Sequence, residues 1–276
     1  MTDTTPTYET LKLHWLDADQ HCLHVALNRP RKINAVNMAM WRDLRDCFVA
    51  LAAHETLRCV VISGGESKSF CGGIDISDLA AFADPGSDTA RTALRLQRSI
   101  HGLQASFDAV EALRVPVIAA VHGACYGAGV DLVTACDVRW ASADAKFCVK
   151  EVDIGLAADV GTLARLPKVI GSASLVAELA LTARIVDATE ALSCGLVSRV
   201  ASGREQLLAG ATELAALIAS KSPVAIVGTK HNLLFARDHT VAEANRQVAL
   251  WNAACLQTED VAAAAMQGRA ATFSKL

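Results

Sequence analysis

The sequence predicts an α/β fold that ends in an all-helical tail. Short apolar, β-rich runs alternate with segments of helical spacing as far as about Gly203, where the strands stop and four helical segments follow. The chain has 276 residues, 52% hydrophobic and 20% charged, enough to bury a core and too apolar to remain disordered. We therefore read residues 1–202 as an α/β body carrying the site, and residues 203–276 as a helical region. Such a tail docks on a neighbouring subunit or packs on its own body.

Each element follows from local pattern. His21 to Leu27 alternates loosely and reads as a strand, broken by Asn28-Arg29-Pro30. Asn37 to Ala53 places Trp41, Leu44, Phe48 and Leu51 on one helical face. Arg58 to Ser63 is a β-rich strand ending at Gly64-Gly65, and Asp88 to Leu113 reads as a long helix that stops before Pro116. Val117 to Val121 is a buried strand, Gly127 to Ala135 opens a buried helix, and Asp137 to Ala141 is again strand-like. The tail divides into helices over Glu205–Ser220, Pro223–Ala236, Thr240–Leu256 and Glu259–Arg269.

Composition excludes several classes. Lys+Arg number 26 against 29 Asp+Glu, a formal charge of -3, which argues against nucleic-acid binding by bulk charge. The uncharged run Val115 to Val130 falls short of the roughly 20 residues that span a bilayer, so no membrane span is expected. The N-terminus, Met1 to Glu9, has neither a signal nor a transit pattern. Nine cysteines without a C-x-x-C pair read as buried thiols in a reducing compartment, and no zinc spacing is present. The chain ends Ser274-Lys275-Leu276, a tripeptide read as a peroxisomal address in a eukaryote, through an import receptor. In a bacterium the same ending has no such meaning, and the location would be the cytoplasm.

Two glycine loops carry the chemistry. Phe70-Cys71-Gly72-Gly73-Ile74-Asp75 follows a strand, and His122-Gly123-Ala124-Cys125-Tyr126-Gly127-Ala128-Gly129 opens a helix. Glycine lets the backbone approach a ligand closely. N–H groups at a helix start lack intrahelical partners and favour negative charge. Two such loops, each offering one N–H, meet the needs of a two-donor oxyanion hole. His122 beside the second loop is expected to pack or cap the turn. The four tryptophans read as packing residues.

Together with Leu27-Asn28-Arg29-Pro30, Asn34-Ala35-Val36, Cys136-Asp137 and Gly195-Leu196-Val197, the loops resemble the crotonase (enoyl-CoA hydratase/isomerase) superfamily over most of the chain. The resemblance implies a crotonase-like spiral of ββα repeats with a C-terminal all-helical trimerisation region. It implies a homotrimer or dimer of trimers acting on acyl-CoA thioesters, with coenzyme A part of the substrate and no separate cofactor or metal. It places the oxyanion donors at the N–H groups of Ile74 and Ala128. It also implies substrate contacts at Gly72, Gly73, Ile74, Asp75, Ile76, Ala128, Lys32 and Ala35. Arg29, Arg31 and Lys32 form a basic cluster that either meets the CoA phosphates or lies in an exposed loop.

Acidic residues divide the family. Its hydratases carry glutamate at the positions of Asp131 and Glu151, and a Gly-rich stretch where this chain has Asp159. The segment Lys150-Glu151-Val152-Asp153-Ile154-Gly155-Leu156-Ala157-Ala158-Asp159 is similar to the branch that isomerises 3,5-dienoyl-CoA to 2,4-dienoyl-CoA in fatty acid β-oxidation. Leu166 to Gly171, and Trp251-Asn252 with Leu256-Gln257-Thr258, resemble that branch too.

The residues suit that reaction. Moving the diene removes a proton at C2 and adds one at C6, too far apart for a single carboxylate. Two carboxyl groups in different states supply both transfers. Glu151 is assigned as base at C2 and Asp159 as acid at C6. Asp131, one helical turn beyond Ala128, is expected to face the same pocket and to orient or tune Glu151. The apolar neighbours of Asp159 raise the cost of an idle carboxylate there. Asp153 is expected to be solvated. Two rival readings stand beside this one: a hydratase of the same fold, in which Asp131 and Glu151 activate water, and a non-catalytic CoA- or RNA-binding homologue.

Overall fold

The computed structural model describes residues 6–79, 88–268 and 271–275. In chain order, β1 (Leu11–Trp15) and β2 (Cys22–Leu27) lead to α1 (Met38–Ala52), β3 (Cys59–Ser63) and the short α2 (Ile76–Leu79). The long α3 (Thr89–Ala112) is followed by β4 (Val117–Val121), β5 (Ala124–Tyr126) and α4 (Ala128–Thr134). Next come β6 (Val138–Ser142), β7 (Lys146–Cys148), α5 (Thr162–Val169), α6 (Ala173–Thr182), β8 (Val186–Asp187), α7 (Ala188–Ser193) and β9 (Arg199–Ala201). Four helices close the chain: α8 (Arg204–Ala219), α9 (Pro223–Ala236), α10 (Val241–Cys255) and α11 (Glu259–Gln267). Arg269, where the last helix was expected to end, lies outside the described residues.

The large sheet has six strands in the order β1-β2-β3-β4-β6-β9, and a second sheet orders β5-β7-β8. Only β1 runs antiparallel in the large sheet, pairing Leu11 with Leu27 and Trp15 with Leu23. The strands β2, β3, β4, β6 and β9 are parallel neighbours. This produces a repeat of three parts: a strand in the large sheet, a strand in the small one, then a helix. β4-β5-α4 and β6-β7-α5 both follow it. β3 and β4 are buried at every position, as expected of parallel strands covered on both faces.

Helix starts are set by local chemistry. Asn37 and Asp88 accept N–H groups of the first turns of α1 and α3 through their side chains. Ser222 caps α9, with Pro223 at the first position. Thr240 and Glu243 form a reciprocal capping box on α10.

Two buried clusters lie on either side of the large sheet. One gathers α1, α3 and α4 residues such as Leu44, Phe48, Phe107 and Leu132. The other seats Leu207, Ala211, Ala215 and Ala219 of α8 against Cys59, Val61, Ile118 and Trp140. So α8, the first helix of the tail, belongs to the core of the body. α9 is tied down by Lys230, whose buried ammonium donates to Asp137 Oδ2 at 2.7 Å and to the Val115 carbonyl at 3.0 Å. α10 and α11 contain no buried residue. Among the described residues no single helix is long and apolar enough to cross a membrane.

Candidate active site

The two glycine loops meet across a parallel bridge between Cys71 and Cys125. Cys71 N–H donates to Ala124 O and Tyr126 N–H to Cys71 O, both at 3.0 Å. Each cysteine stands three residues before an expected oxyanion donor. On the far side of the first loop, Val36 bridges Ile74: Val36 N–H donates to Gly73 O and Asp75 N–H donates to Val36 O. In that pattern the N–H of Ile74 itself points away from Val36. Ala128 is the first residue of α4, where the N–H has no intrahelical partner. Gly127 before it has φ 48° and ψ −117°, a conformation that disfavours any Cβ. A Cβ there would also stand 3.2 Å from Glu151 Oε1 and 3.7 Å from Gly73 Cα. The two donor loops and the carboxylate of Glu151 therefore converge on one point.

Asn34 holds this arrangement. It is fully buried, its amide donates to the carbonyls of Gly64 and Phe70 at 2.9 Å, and its carbonyl accepts the N–H of Arg29. Arg29 in turn donates to Asp75 Oδ2 at 2.9 Å and to the Ala35 carbonyl. The basic cluster thus divides. Arg29 is a structural tie between the first loop and the Asn34 turn, while Arg31 and Lys32 are exposed. Asp75 turns its carboxylate to Ser77 and Arg29, and these bonds hold it below the usual carboxylate range. His122 is buried and bonds the Ser67 carbonyl at 2.8 Å, in keeping with a packing role.

A mostly apolar cavity of about 230 Å³ opens at the point of convergence. Gly72, Ile74, Ile76, Gly127, Ala128, Glu151 and Asp159 all line it, so both donor positions and two of the three acidic residues meet there. Lys32, Ala35, Gly73 and Asp75 are not among its lining residues. Its hydrophobic wall comes from Trp41 and from Leu96, Ile100 and Leu103 of α3, none of which was singled out from the sequence as a site residue. The spacing of those three α3 residues signals an apolar stripe. Nothing in that spacing tells a stripe facing a cavity from one facing the core.

The three carboxyl groups sit at three depths. Asp159 is exposed at the mouth, on the irregular segment between Gly155 and α5, so it does not have the apolar burial that its neighbours suggested. Ala158 and Val160 point inward and leave Asp159 outward. Glu151 is buried and starts a 3-10 turn over Glu151–Ile154. Asp131 is fully buried and does not line the cavity, which corrects the expectation that it faces the pocket. It accepts the N–H of Thr162 at the start of α5. Burial pushes Glu151 and Asp131 upward, and partial desolvation beside the apolar cavity wall moves exposed Asp159 the same way. For Glu151 the charge of Asp159 adds to burial. Asp131 is raised to about 7, by burial first and by Glu151 second. One oxygen of Asp131 and one of Glu151 are buried without a hydrogen-bond partner. Asp153 is exposed and paired with Lys150, as expected of a solvated charge.

Among the described residues the one group with ligand atoms close enough for a metal is Asp17, Asp19 and His21, at the β1–β2 turn. Both oxygens of Asp17 there already accept backbone N–H groups, from His21 and Cys22. All nine cysteines are free thiols, seven of them buried.

These features define an acyl-thioester site of the crotonase type. The chain belongs to the enoyl-CoA hydratase/isomerase family, whose model matches residues 17–271. It is 51% identical over 278 residues to the human mitochondrial Delta(3,5)-Delta(2,4)-dienoyl-CoA isomerase, covering 98% of this chain and 84% of that one. It is 40% identical to the peroxisomal Delta(3,5)-Delta(2,4)-dienoyl-CoA isomerase of Arabidopsis thaliana, covering 99% and 100%. Among solved structures, an enoyl-CoA hydratase from Bacillus anthracis superposes with TM-score 0.85 at 25% identity, over 96% and 99% of the two chains. A putative enoyl-CoA hydratase from Thermobifida fusca, solved with acetoacetyl-CoA, superposes with TM-score 0.80 at 31% identity, over 92% and 99%.

Proposed function

We propose that this chain isomerises 3,5-dienoyl-CoA to 2,4-dienoyl-CoA. The observation that carries the reading is one apolar cavity with two separated carboxyl groups, Glu151 and Asp159, beside the backbone donors Ile74 and Ala128. The names of the relatives support the same reaction.

In this proposal the thioester oxygen lies between the N–H groups of Ile74 and Ala128. Negative charge grows on that oxygen as the C2 proton leaves, and each donor contributes about 3–4 kcal/mol of selective stabilisation. Glu151, ionised, takes the C2 proton. Its buried setting raises its basicity above that of an ordinary glutamate. The electron pair spreads through the diene, and Asp159, protonated, delivers a proton at C6. After one turnover Glu151 holds a proton and Asp159 has lost one, and exchange with solvent restores both. Asp131 acts behind Glu151 and tunes it through charge. The apolar wall of Trp41, Leu96, Ile100 and Leu103 takes the hydrocarbon chain. No metal or cofactor enters the scheme, so chelators are expected to leave turnover unchanged.

The test is incubation of the purified protein with a 3,5-dienoyl-CoA while near-UV absorbance of the conjugated thioester is followed. Rising absorbance supports the isomerase. Water addition to an enoyl-CoA without isomerisation points to the hydratase instead. Salt-sensitive RNA retention with neither activity points to a binding module.

The assembly we propose is a homotrimer or a dimer of trimers. It is supported by α10 and α11, which hold no fully buried residue, and by the exposed side chains of Leu233, Val241, Leu250, Leu256 and Met266. A monomeric mass by light scattering at micromolar concentration contradicts it. An organellar location is part of the proposal, supported by relatives named as mitochondrial and peroxisomal. The proposed address is Ser274-Lys275-Leu276, of which Leu276 lies outside the described residues. A reporter ending in this tripeptide tests it in a eukaryotic cell, and a reporter that stays cytosolic contradicts it.

A further inference from the structure

Asp159 sits on a stretch with no regular structure, bounded by Gly155 at φ 84° and Gly161 at φ 143°. Such a stretch does not fix the position of a carboxyl group by itself. Its hydrogen bonds are few. Leu156 N–H donates to Glu151 O before it, and Thr162 N–H donates to Asp131 after it. Between them, Gln104 Nε2 donates to the backbone carbonyl of Asp159 at 2.6 Å, reaching across 55 positions from α3. His101, one turn earlier on α3, holds the other end of that amide through Nδ1 and Gln104 Oε1 at 2.9 Å. A carbonyl oxygen only accepts, so the amide is oriented with its N–H₂ toward Asp159.

We infer that Gln104 is a positioning residue for proton delivery, with His101 orienting its amide. Residues Leu96, Ile100 and Leu103 of the same helix form the wall that takes the hydrocarbon chain. The Gln104 bond therefore ties Asp159 to the element that places the far end of the diene. It sets Asp159 relative to C6 and leaves Glu151 and the oxyanion donors untouched. This inference rests on the isomerase reading and deepens it.

Gln104→Glu keeps the size of the side chain and removes the donor, and Gln104→Leu does the same without adding charge. The expected result for both is a fall in isomerisation of about 10–100-fold, the scale of a small misplacement of a reacting group. Exchange of the C2 proton with solvent deuterium stays at the parent rate. Amide hydrogen exchange across residues 157–161 quickens. A merely structural role would lower isomerisation and C2 exchange together. The inference is overturned if both variants isomerise at the parent rate, or if C2 exchange falls in step with turnover. A parent protein that does not isomerise a 3,5-dienoyl-CoA overturns the functional reading and this inference with it. An active parent beside unaffected variants overturns the inference alone.

Discussion

The buried carboxylate of Asp131 accepts the backbone N–H of Thr162, 31 positions away, with one oxygen and leaves the other unpartnered. This one contact joins the first turn of α4, which carries the proposed oxyanion donor Ala128, to the first turn of α5 just beyond Asp159. It also places an ionisable group near Glu151, whose charge adds to burial in raising the cost of ionising Asp131.

Stability should record this arrangement. Burial, with the charge of Glu151, raises Asp131 in the folded state from the usual carboxylate range to about 7, so folding favours its neutral form. That contribution is complete below about pH 4 and is lost as pH rises through about 7. Asp131→Asn, which stays neutral, is therefore expected to melt at a higher temperature than the parent at pH 8, with the gap closing toward pH 4. Melting curves at both pH values check this. A variant destabilised more at pH 8 than at pH 4 contradicts it.

Activity should show two limbs with pH. The proposed base must be ionised and the proposed acid protonated, and burial of Glu151 and partial desolvation of Asp159 move both upward. We expect kcat/KM to rise through an apparent pKa above the usual carboxylate range and to fall again at higher pH. A rising limb at or below that of a free glutamate contradicts the buried base.

Gly127 is constrained twice, by its backbone angles and by Glu151 Oε1 above it. Gly127→Ala is expected to cost about 1–3 kcal/mol of stability in chemical denaturation. Turnover should fall further, because the new methyl displaces Glu151, the proposed base. Parent-like stability and rate together would show that this turn is not under constraint.

Arg29 is expected to act on the donor loop without touching the cavity. Arg29→Ala removes the charged bond to Asp75 and the bond to Ala35, at a cost of about 1.5–3 kcal/mol for a largely buried charged pair. Asp75 is held low in the folded state, so its contribution is present above its unfolded pKa and lost as pH falls. The stability difference between parent and variant should therefore narrow below about pH 4. A difference independent of pH contradicts this pairing.

Much of the fold was legible because its long helices announce their ends. Asn37 and Asp88 precede apolar stripes, and the Ser222-Pro223 step starts α9. The strands β5, β7 and β8 were not legible, since runs of two or three residues carry no period and exist only through pairing. At the site, the glycine loops and the three acidic residues were readable, but their depths were not. Apolar neighbours around Asp159 suggested burial, whereas the chain turns Ala158 and Val160 inward and Asp159 out. Asp131 looked accessible one turn after Ala128, yet α4 is buried at every position. Gln104 offered no local signal, because its partner lies 55 positions away.

The division of labour between Glu151 and Asp159 is tested most directly by following solvent deuterium into C2 of the substrate alongside isomerisation, in Glu151→Gln and Asp159→Asn. Both variants are expected to lose turnover by roughly 10²–10⁴, the usual range for a positioned acid or base. Asp159→Asn should still exchange the C2 proton, because Glu151 and both oxyanion donors remain, and Glu151→Gln should not. Isomerisation by Asp159→Asn at near the parent rate, or an exchange pattern reversed between the two variants, contradicts the assignment.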